Sequence, residues 1–248
     1  MNSVSRREYL RALDLQAWVL RRDLTEPAPA AIAAIGAPGA SDTPGAPDMP
    51  SAQGADVSRV PDTELDWRQL RERVAACRRC GLCETRTRTV FGVGNDHADW
   101  LIVGEAPGAE EDRQGEPFVG RAGQLLNAML RAIGLAREQV FIANVLKCRP
   151  PGNRDPAGSE AKQCLPYLER QIALLKPKLI LVVGRIAAHN LLGTEAALSS
   201  LRQRVHRFGA DRVPLVVTYH PAYLLRSPGE KRKAWEDLKF ARGVLASV

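Results

Sequence analysis

Trp100-Leu101-Ile102-Val103-Gly104-Glu105-Ala106-Pro107-Gly108 is an apolar run that stops abruptly in a glycine-rich turn. A short run with no polar alternate positions suits a strand covered on both faces, as strands of parallel sheets are. Three further runs share this form, at residues 140–143, 179–183 and 213–218. Helical spacing fills the gaps. Ala122, Leu125, Leu126, Met129, Leu130 and Ile133 trace one apolar face, and Ala161, Leu165, Leu168, Ile172 and Leu175 trace another. Shorter patterns cover residues 185–192, a helix through Trp67, Leu70 and Val74, and a last one carrying Trp235, Leu238, Ala241 and Leu245. Strands alternating with helices predict an α/β fold, a three-layer α/β/α sandwich around a parallel sheet. No internal repeat is present.

Ligands of such sheets bind beyond the carboxyl ends of the strands, so the residues that follow each run are where chemistry is expected. After the first comes Gly104 to Gly108, and after the second Asn144, leading to Lys147-Cys148-Arg149-Pro150-Pro151-Gly152-Asn153-Arg154. Gly184-Arg185 follows the third and His220-Pro221-Ala222-Tyr223-Leu224-Leu225-Arg226 the fourth. A nucleotide cofactor is not expected. The first turn lacks the Lys-Ser/Thr of a P-loop and the third glycine of a dinucleotide fingerprint, and Pro107 removes a backbone donor.

Five cysteines stand at Cys77, Cys80, Cys83, Cys148 and Cys164. Two residues between thiols let one tight turn aim both sulfurs at a metal, and distant cysteines complete a four-thiolate site. Disulfides are the competing use, but Arg6, Arg7 and Glu8 interrupt the start and no secretory apolar stretch follows, so a reducing cytoplasm is expected. Spacing alone leaves open zinc or an iron–sulfur cluster, Cys83 or Cys80 as a ligand, and for Cys164 an inert place on an apolar helix face.

The 35 Lys and Arg against 28 Asp and Glu give a net charge of +7. Arg68, Arg71, Arg73, Arg78, Arg79, Arg86 and Arg88 surround the first cysteines, and Arg226, Lys231, Arg232 and Lys233 gather near the last helix. Clustered arginine fits a polyanionic partner, although Glu72, Glu84, Glu230 and Glu236 make a solvated mixed surface the plainer alternative. No run approaches the roughly 20 apolar residues that span a bilayer, so no membrane is expected.

Residues 27–56 are rich in Ala, Pro and Gly and hold no Lys, Arg or aromatic, too poor in apolar bulk to offset the entropy of ordering. Three parts are therefore expected: an N-terminal amphipathic helical segment at 1–26, a linker at 27–61 and the main domain at 62–248. The first carries Leu10, Leu13, Ala17, Leu20 and Leu24 at helical spacing with Tyr9 and Trp18. It is too short for its own core and would dock on this chain or on a protein partner.

Several ordered motifs together resemble the family 4 uracil-DNA glycosylases, the iron–sulfur branch of the uracil-DNA glycosylase superfamily. They are Gly104 to Gly108, Glu111-Asp112, Gly115-Glu116-Pro117-Phe118-Val119-Gly120-Arg121-Ala122-Gly123, Asn144 to Arg154, and His220 to Arg226. The resemblance spans residues 77–238. It implies a four-stranded parallel sheet, a 4Fe–4S cluster on Cys77, Cys80, Cys148 and Cys164 with Cys83 spare, and uracil-containing DNA, single- or double-stranded, as partner.

It also implies the roles of the loop residues. A uracil turned out of the DNA stack needs a stacking face, a reader of its edge and stabilisation of the charge it gathers on leaving. Phe118 would be the face. Asn144 would read N3–H and O4, and His220 would donate to O2. Gly104, Glu105 and Ala106 would shape the pocket; Glu111 would stand beside C5 and exclude thymine. Pro221, Ala222, Leu224, Leu225 and Arg226 would meet the DNA, with Leu224 or Leu225 filling the vacated stack and Arg226 on a phosphate. Ala106 stands where better-known uracil glycosylases have a water-handling aspartate, so Glu105 or Asn153 is expected to place the water. The same alanine sustains an alternative, a catalytically silent iron–sulfur DNA-binding or redox-sensing module. A second departure is Arg202-Gln203, where Arg-Gly is often found.

Overall fold

The four runs do form the parallel centre of a sheet, as β2 (Trp100–Gly104), β3 (Phe141–Asn144), β4 (Leu179–Val183) and β6 (Val213–Thr218). The computed structural model describes residues 60–247, so the segment expected at 1–26 and nearly all of the linker expected at 27–61 lie outside the described residues. The sheet is wider than the expected four strands. Two short strands, β1 (Val93–Gly94) and β5 (His206–Phe208), pair antiparallel at its edges, giving the order β1-β3-β2-β4-β6-β5. Both edge strands are partly exposed, whereas every residue of the four parallel strands is buried.

Alternation along the strands sorts the core onto two faces. Leu101, Val103, Ile180, Val182, Leu215 and Val217 point to one side, where they meet Leu168, Ile172 and Leu175 of the helix Gly158–Leu175. Trp100, Ile102, Leu179, Leu181, Val183 and Val216 point to the other, against Leu126, Met129 and Leu130 of the helix Arg121–Ala132 and Leu238 and Ala241 of Lys231–Ala246. Trp67 opens the helix Trp67–Ala75 behind an Asp66–Gln69 capping box and packs its ring on Phe141, centroids 5.2 Å apart. The layers bring the carboxyl ends of β2, β3, β4 and β6 to one edge, where β2 and β4 lie side by side and their following chains leave in opposite directions.

Candidate active site

β2 ends on Gly104 because nothing larger fits there. A Cβ at this position would lie 2.4 Å from Asn144 Oδ1 and 2.7 Å from Phe118 Cζ, so the bare backbone lets the ends of two strands and the Phe118 ring converge. The chain then runs through Glu105 and Ala106 into the short helix Ala109–Gln114. Glu111, one turn in, accepts the Gly108 N–H on Oε2 at 3.1 Å and those of Val119 and Gly120 on Oε1 at 3.1 and 3.2 Å. One carboxylate thereby staples the first loop to the loop bearing Phe118.

Phe118 sits in the left-handed region, φ 54°, and its ring is 6% exposed. That backbone is possible because Gly123, at the start of the next helix, leaves room for the Phe118 carbonyl; a Cβ there would sit 1.7 Å from its oxygen. The ring lies 5.6 Å from that of His220, inclined 31°. A flat apolar face is thus presented beside an imidazole.

Asn144 ends β3 at 2% exposure, and its Oδ1 is buried with no hydrogen-bond partner among the described residues. An unsatisfied buried acceptor costs about 1–3 kcal/mol, so its position at the floor of a cavity is that of a group reserved for a ligand donor. Its backbone is fixed separately: the buried Lys147 ammonium donates to Asn144 O at 2.8 Å and to Gln171 Oε1 at 2.6 Å.

His220 caps the short helix Pro221–Arg226, its Nδ1 accepting the Ala222 N–H at 3.1 Å. Burial first, then the Arg226 charge, push its pKa down to about 4, against a small opposing pull from Glu111. The ring is therefore neutral near pH 7 with its proton on Nε2. Glu105 moves the other way. Burial, with Asp155 adding to it and Arg185 opposing, raises its carboxyl to about 7.

Glu105, Ala106, Glu111, Phe118, Asn144, His220, Ala222 and Arg226 all line one cavity of about 450 Å³. Gly104 stands behind its wall through the contacts above. Asn153 reaches the same cavity, its side-chain oxygen accepting from Arg149 Nε at 2.7 Å. Residues 221–226 form a helix, and this divides the segment. Pro221 is buried, and Leu224 is 1% exposed and packed in the core, which removes it as a wedge for the DNA stack; Leu225 is half-buried and Arg226 exposed. Tyr223, Arg154 and Asp155, which the sequence reading passed over, also line the cavity. Tyr223 is 37% exposed and stacked on Tyr219, centroids 5.3 Å apart, so an outward aromatic was the missed signal.

All five cysteines line a second cavity together with Arg86, Lys147 and Tyr167. Arg86 Nη1 donates to Cys148 Sγ at 3.0 Å and the Lys147 N–H to Cys164 Sγ at 3.2 Å. Among the described residues no group of three or more His, Cys, Asp or Glu side chains is arranged to hold a single metal ion. What the fold does is gather distant thiols under hydrogen-bond donors.

Comparison with known proteins matches residues 91–239 to the uracil DNA glycosylase superfamily. Over 173 residues the chain is 46% identical to the type-4 uracil-DNA glycosylase of Archaeoglobus fulgidus, covering 67% of this chain and 86% of that one. The chain belongs to the type-4 uracil-DNA glycosylase family. Relatives of the same kind include those of Sulfurisphaera tokodaii, 41% identical over 70% of this chain and 82% of its own, and Thermotoga maritima, 40% over 70% and 92%. A type-5 uracil-DNA glycosylase of Pyrobaculum aerophilum is more distant, at 27% over 53% and 64%.

Proposed function

We infer that this family member hydrolyses the N-glycosidic bond of uracil in DNA, releasing free uracil and leaving an abasic site. The single observation that carries this is the buried Oδ1 of Asn144, unpartnered among the described residues, at the floor of a cavity walled by Phe118 and His220. A uracil seated on the Phe118 ring would give its N3–H to that oxygen, while the amide N–H of Asn144 would meet O4. Cytosine reverses both partners and leaves the buried acceptor unpaired. Glu111, held by three backbone amides on the cavity wall, would stand rigidly beside the base, where a thymine methyl would collide with it. A rigid clash rejects a methyl group better than apolar contact does.

The leaving base gathers negative charge on O2 as the bond to the sugar breaks. His220, whose Nδ1 accepts the Ala222 N–H, would donate there through Nε2–H, and a contact that strengthens as charge develops is what accelerates the step. A neutral donor suffices. The sugar, now cationic, takes a weakly activated water, which we assign to Glu105 with Asn153 near it in the same cavity. Arg226 and the outward side of the helix Pro221–Arg226 would hold the flanking DNA backbone, with Leu225 as the wedge.

Cys77, Cys80, Cys148 and Cys164 fit a 4Fe–4S cluster in their donor chemistry: four thiols ring one cavity, with Arg86 and the Lys147 amide directed at two of the sulfurs. The cluster would supply a structural cross-link between the N-terminal arm, the loop after β3 and the helix behind it. A reducing compartment would keep these thiols available. Protein incubated with a uracil oligonucleotide, single-stranded or paired with guanine, and then heated in alkali, tests the whole reading. Breakage at uracil and none at thymine is expected; intact DNA from cluster-loaded protein would leave a silent DNA-binding module in its place.

A further inference from the structure

Arg137 begins a single 3-10 turn, Arg137–Gln139, just before β3, and it does not line the base cavity. Its guanidinium is nevertheless half-buried and spent on the loop that carries Phe118. Nη2 donates to Pro117 O at 2.6 Å, Nη1 to Phe118 O at 3.3 Å and Nη1 to Asn127 Oδ1 at 3.2 Å. All three partners are neutral oxygens. Burial lowers the guanidinium pKa while Glu116, Glu138 and Glu111 pull it upward. A cation drawn out of water to meet two successive carbonyls is an expensive way to hold a surface loop, and a planar fork is the one side chain that can grip both at once.

The two carbonyls flank the strained residue. Phe118 is left-handed, and its carbonyl presses toward the helix start at Gly123, which has no Cβ to block it. A left-handed phenylalanine persists only where its surroundings over-determine it. Without the fork, the peptide between Pro117 and Phe118 would relax toward ordinary φ and swing the ring off the wall it shares with His220. The fork also ties the platform to the strand that ends in Asn144, because Arg137 enters β3 four residues upstream of Phe141.

We propose that Arg137 is a positioning residue for uracil recognition, clamping the Pro117 and Phe118 carbonyls so that the Phe118 ring stays in the orientation that stacks the flipped base. The proposal rests on Phe118 being that stacking face.

The test is a double-mutant cycle on the cluster-loaded protein with Arg137→Met, Phe118→Leu and the pair. The readouts are single-turnover uracil excision and inhibition by free uracil, measured well below the melting temperature of each variant. Arg137→Met is expected to lower excision about tenfold or more and to weaken free-uracil inhibition in parallel, as the loss of a charge-assisted pair of hydrogen bonds implies. In the Phe118→Leu background the same change should add less than about twofold, since there is no ring left to aim. Arg137→Lys, which keeps the charge but not the fork, should behave like the methionine variant, and serves alone if Arg137→Met does not fold. Effects that multiply across the cycle, or weakened excision with unchanged uracil inhibition, would reduce Arg137 to a general stabiliser and overturn the proposal. Full activity in Phe118→Leu would overturn the stacking face itself and the clamp with it.

Discussion

Nδ1 of His220 accepts the backbone N–H of Ala222 at 3.1 Å, which leaves Nε2 as the protonated nitrogen of a ring whose pKa is pushed down to about 4. The histidine thus keeps one charge state across the physiological range. Glu105, raised to about 7, does not. If its carboxylate orients the water, excision by single turnover should climb as pH rises through about 7 and then level, with no limb from His220 until the pH nears about 4. Glu105→Gln should be slower throughout and flat across that range. A climb that survives in the glutamine variant would assign the water to another group.

Stability should carry the same two groups with opposite signs. His220 has a folded pKa of about 4 against an ordinary 6.5, so in that window the unfolded chain binds the extra proton and acidification destabilises the fold. Glu105, about 7 against an ordinary 4.5, binds its proton in the folded state, so stability is full below 4.5 and is lost as pH rises through about 7. Their slopes oppose between 4.5 and 6.5 and largely hide each other. Glu105→Gln should unmask a melting temperature that rises from pH 4 to 6.5, and His220→Asn one that falls from pH 4.5 to 7.

The parallel centre was legible because its strands are buried on both faces and so read as unbroken apolar runs. β1 and β5 were not, being two and three residues long and partly exposed, with too little pattern to stand out. Residues at the strand ends could be named from local motifs, and Glu105, Asn144 and His220 line one cavity. Arg154 and Asp155 reach it through the loop after β3, where nothing in their residue types marks them, whereas Tyr223 is an outward aromatic of the helix Pro221–Arg226. The choice between Leu224 and Leu225 needed the helix Pro221–Arg226, whose rotation turns Leu224 inward. Phe118's left-handed backbone is set by contacts with Gly123 and Arg137 and has no signature in its own residue type.

Gly104→Ala is the most economical test of the pocket floor. The new methyl would meet Asn144 Oδ1 at 2.4 Å and Phe118 Cζ at 2.7 Å, displacing the reader and the stacking face together. Misplacement by about 1 Å costs on the order of a hundredfold in rate. Excision should fall by at least that much while the far-ultraviolet dichroism and DNA affinity stay near those of the parent. An unimpaired alanine variant would mean that neither Asn144 nor Phe118 touches the base.

Gln203 holds a left-handed backbone without being glycine. It adopts φ 56°, and its side chain donates to Asp237 Oδ1 at 2.7 Å. Asp237, fully buried, also accepts from Arg202 at 2.7 and 2.9 Å and from Thr218 Oγ1 at 2.8 Å, so it pins the end of β6 to the last helix. Gln203→Gly trades one hydrogen bond for a relaxed backbone and should shift stability by under about 1 kcal/mol. Gln203→Ala loses the bond and keeps the strain, so it should be the less stable of the two in urea. Asp237→Ala takes the shared acceptor from Arg202, Gln203 and the buried Thr218 hydroxyl, while the partly buried guanidinium keeps the Lys233 carbonyl and the Tyr219 ring, and it should lose about 1–3 kcal/mol.

The cysteines allow the spare thiol to be identified directly. Cys80 and Cys83 lie one turn apart, the Cys83 N–H donating to the Cys80 carbonyl at 3.2 Å, and both sulfurs border the cavity that also takes Cys77, Cys148 and Cys164. The proposed 4Fe–4S cluster would take four of the five thiols, so one serine substitution should be silent. Cys83→Ser is expected to keep the parent's iron content and visible absorbance, whereas Cys80→Ser should lose both and melt at a lower temperature. An exchange of these outcomes would place Cys83 in the cluster and make Cys80 the spare. Loss of iron from both variants would show that the turn needs each thiol, one as ligand and the other in support, and would end the reading of Cys83 as dispensable.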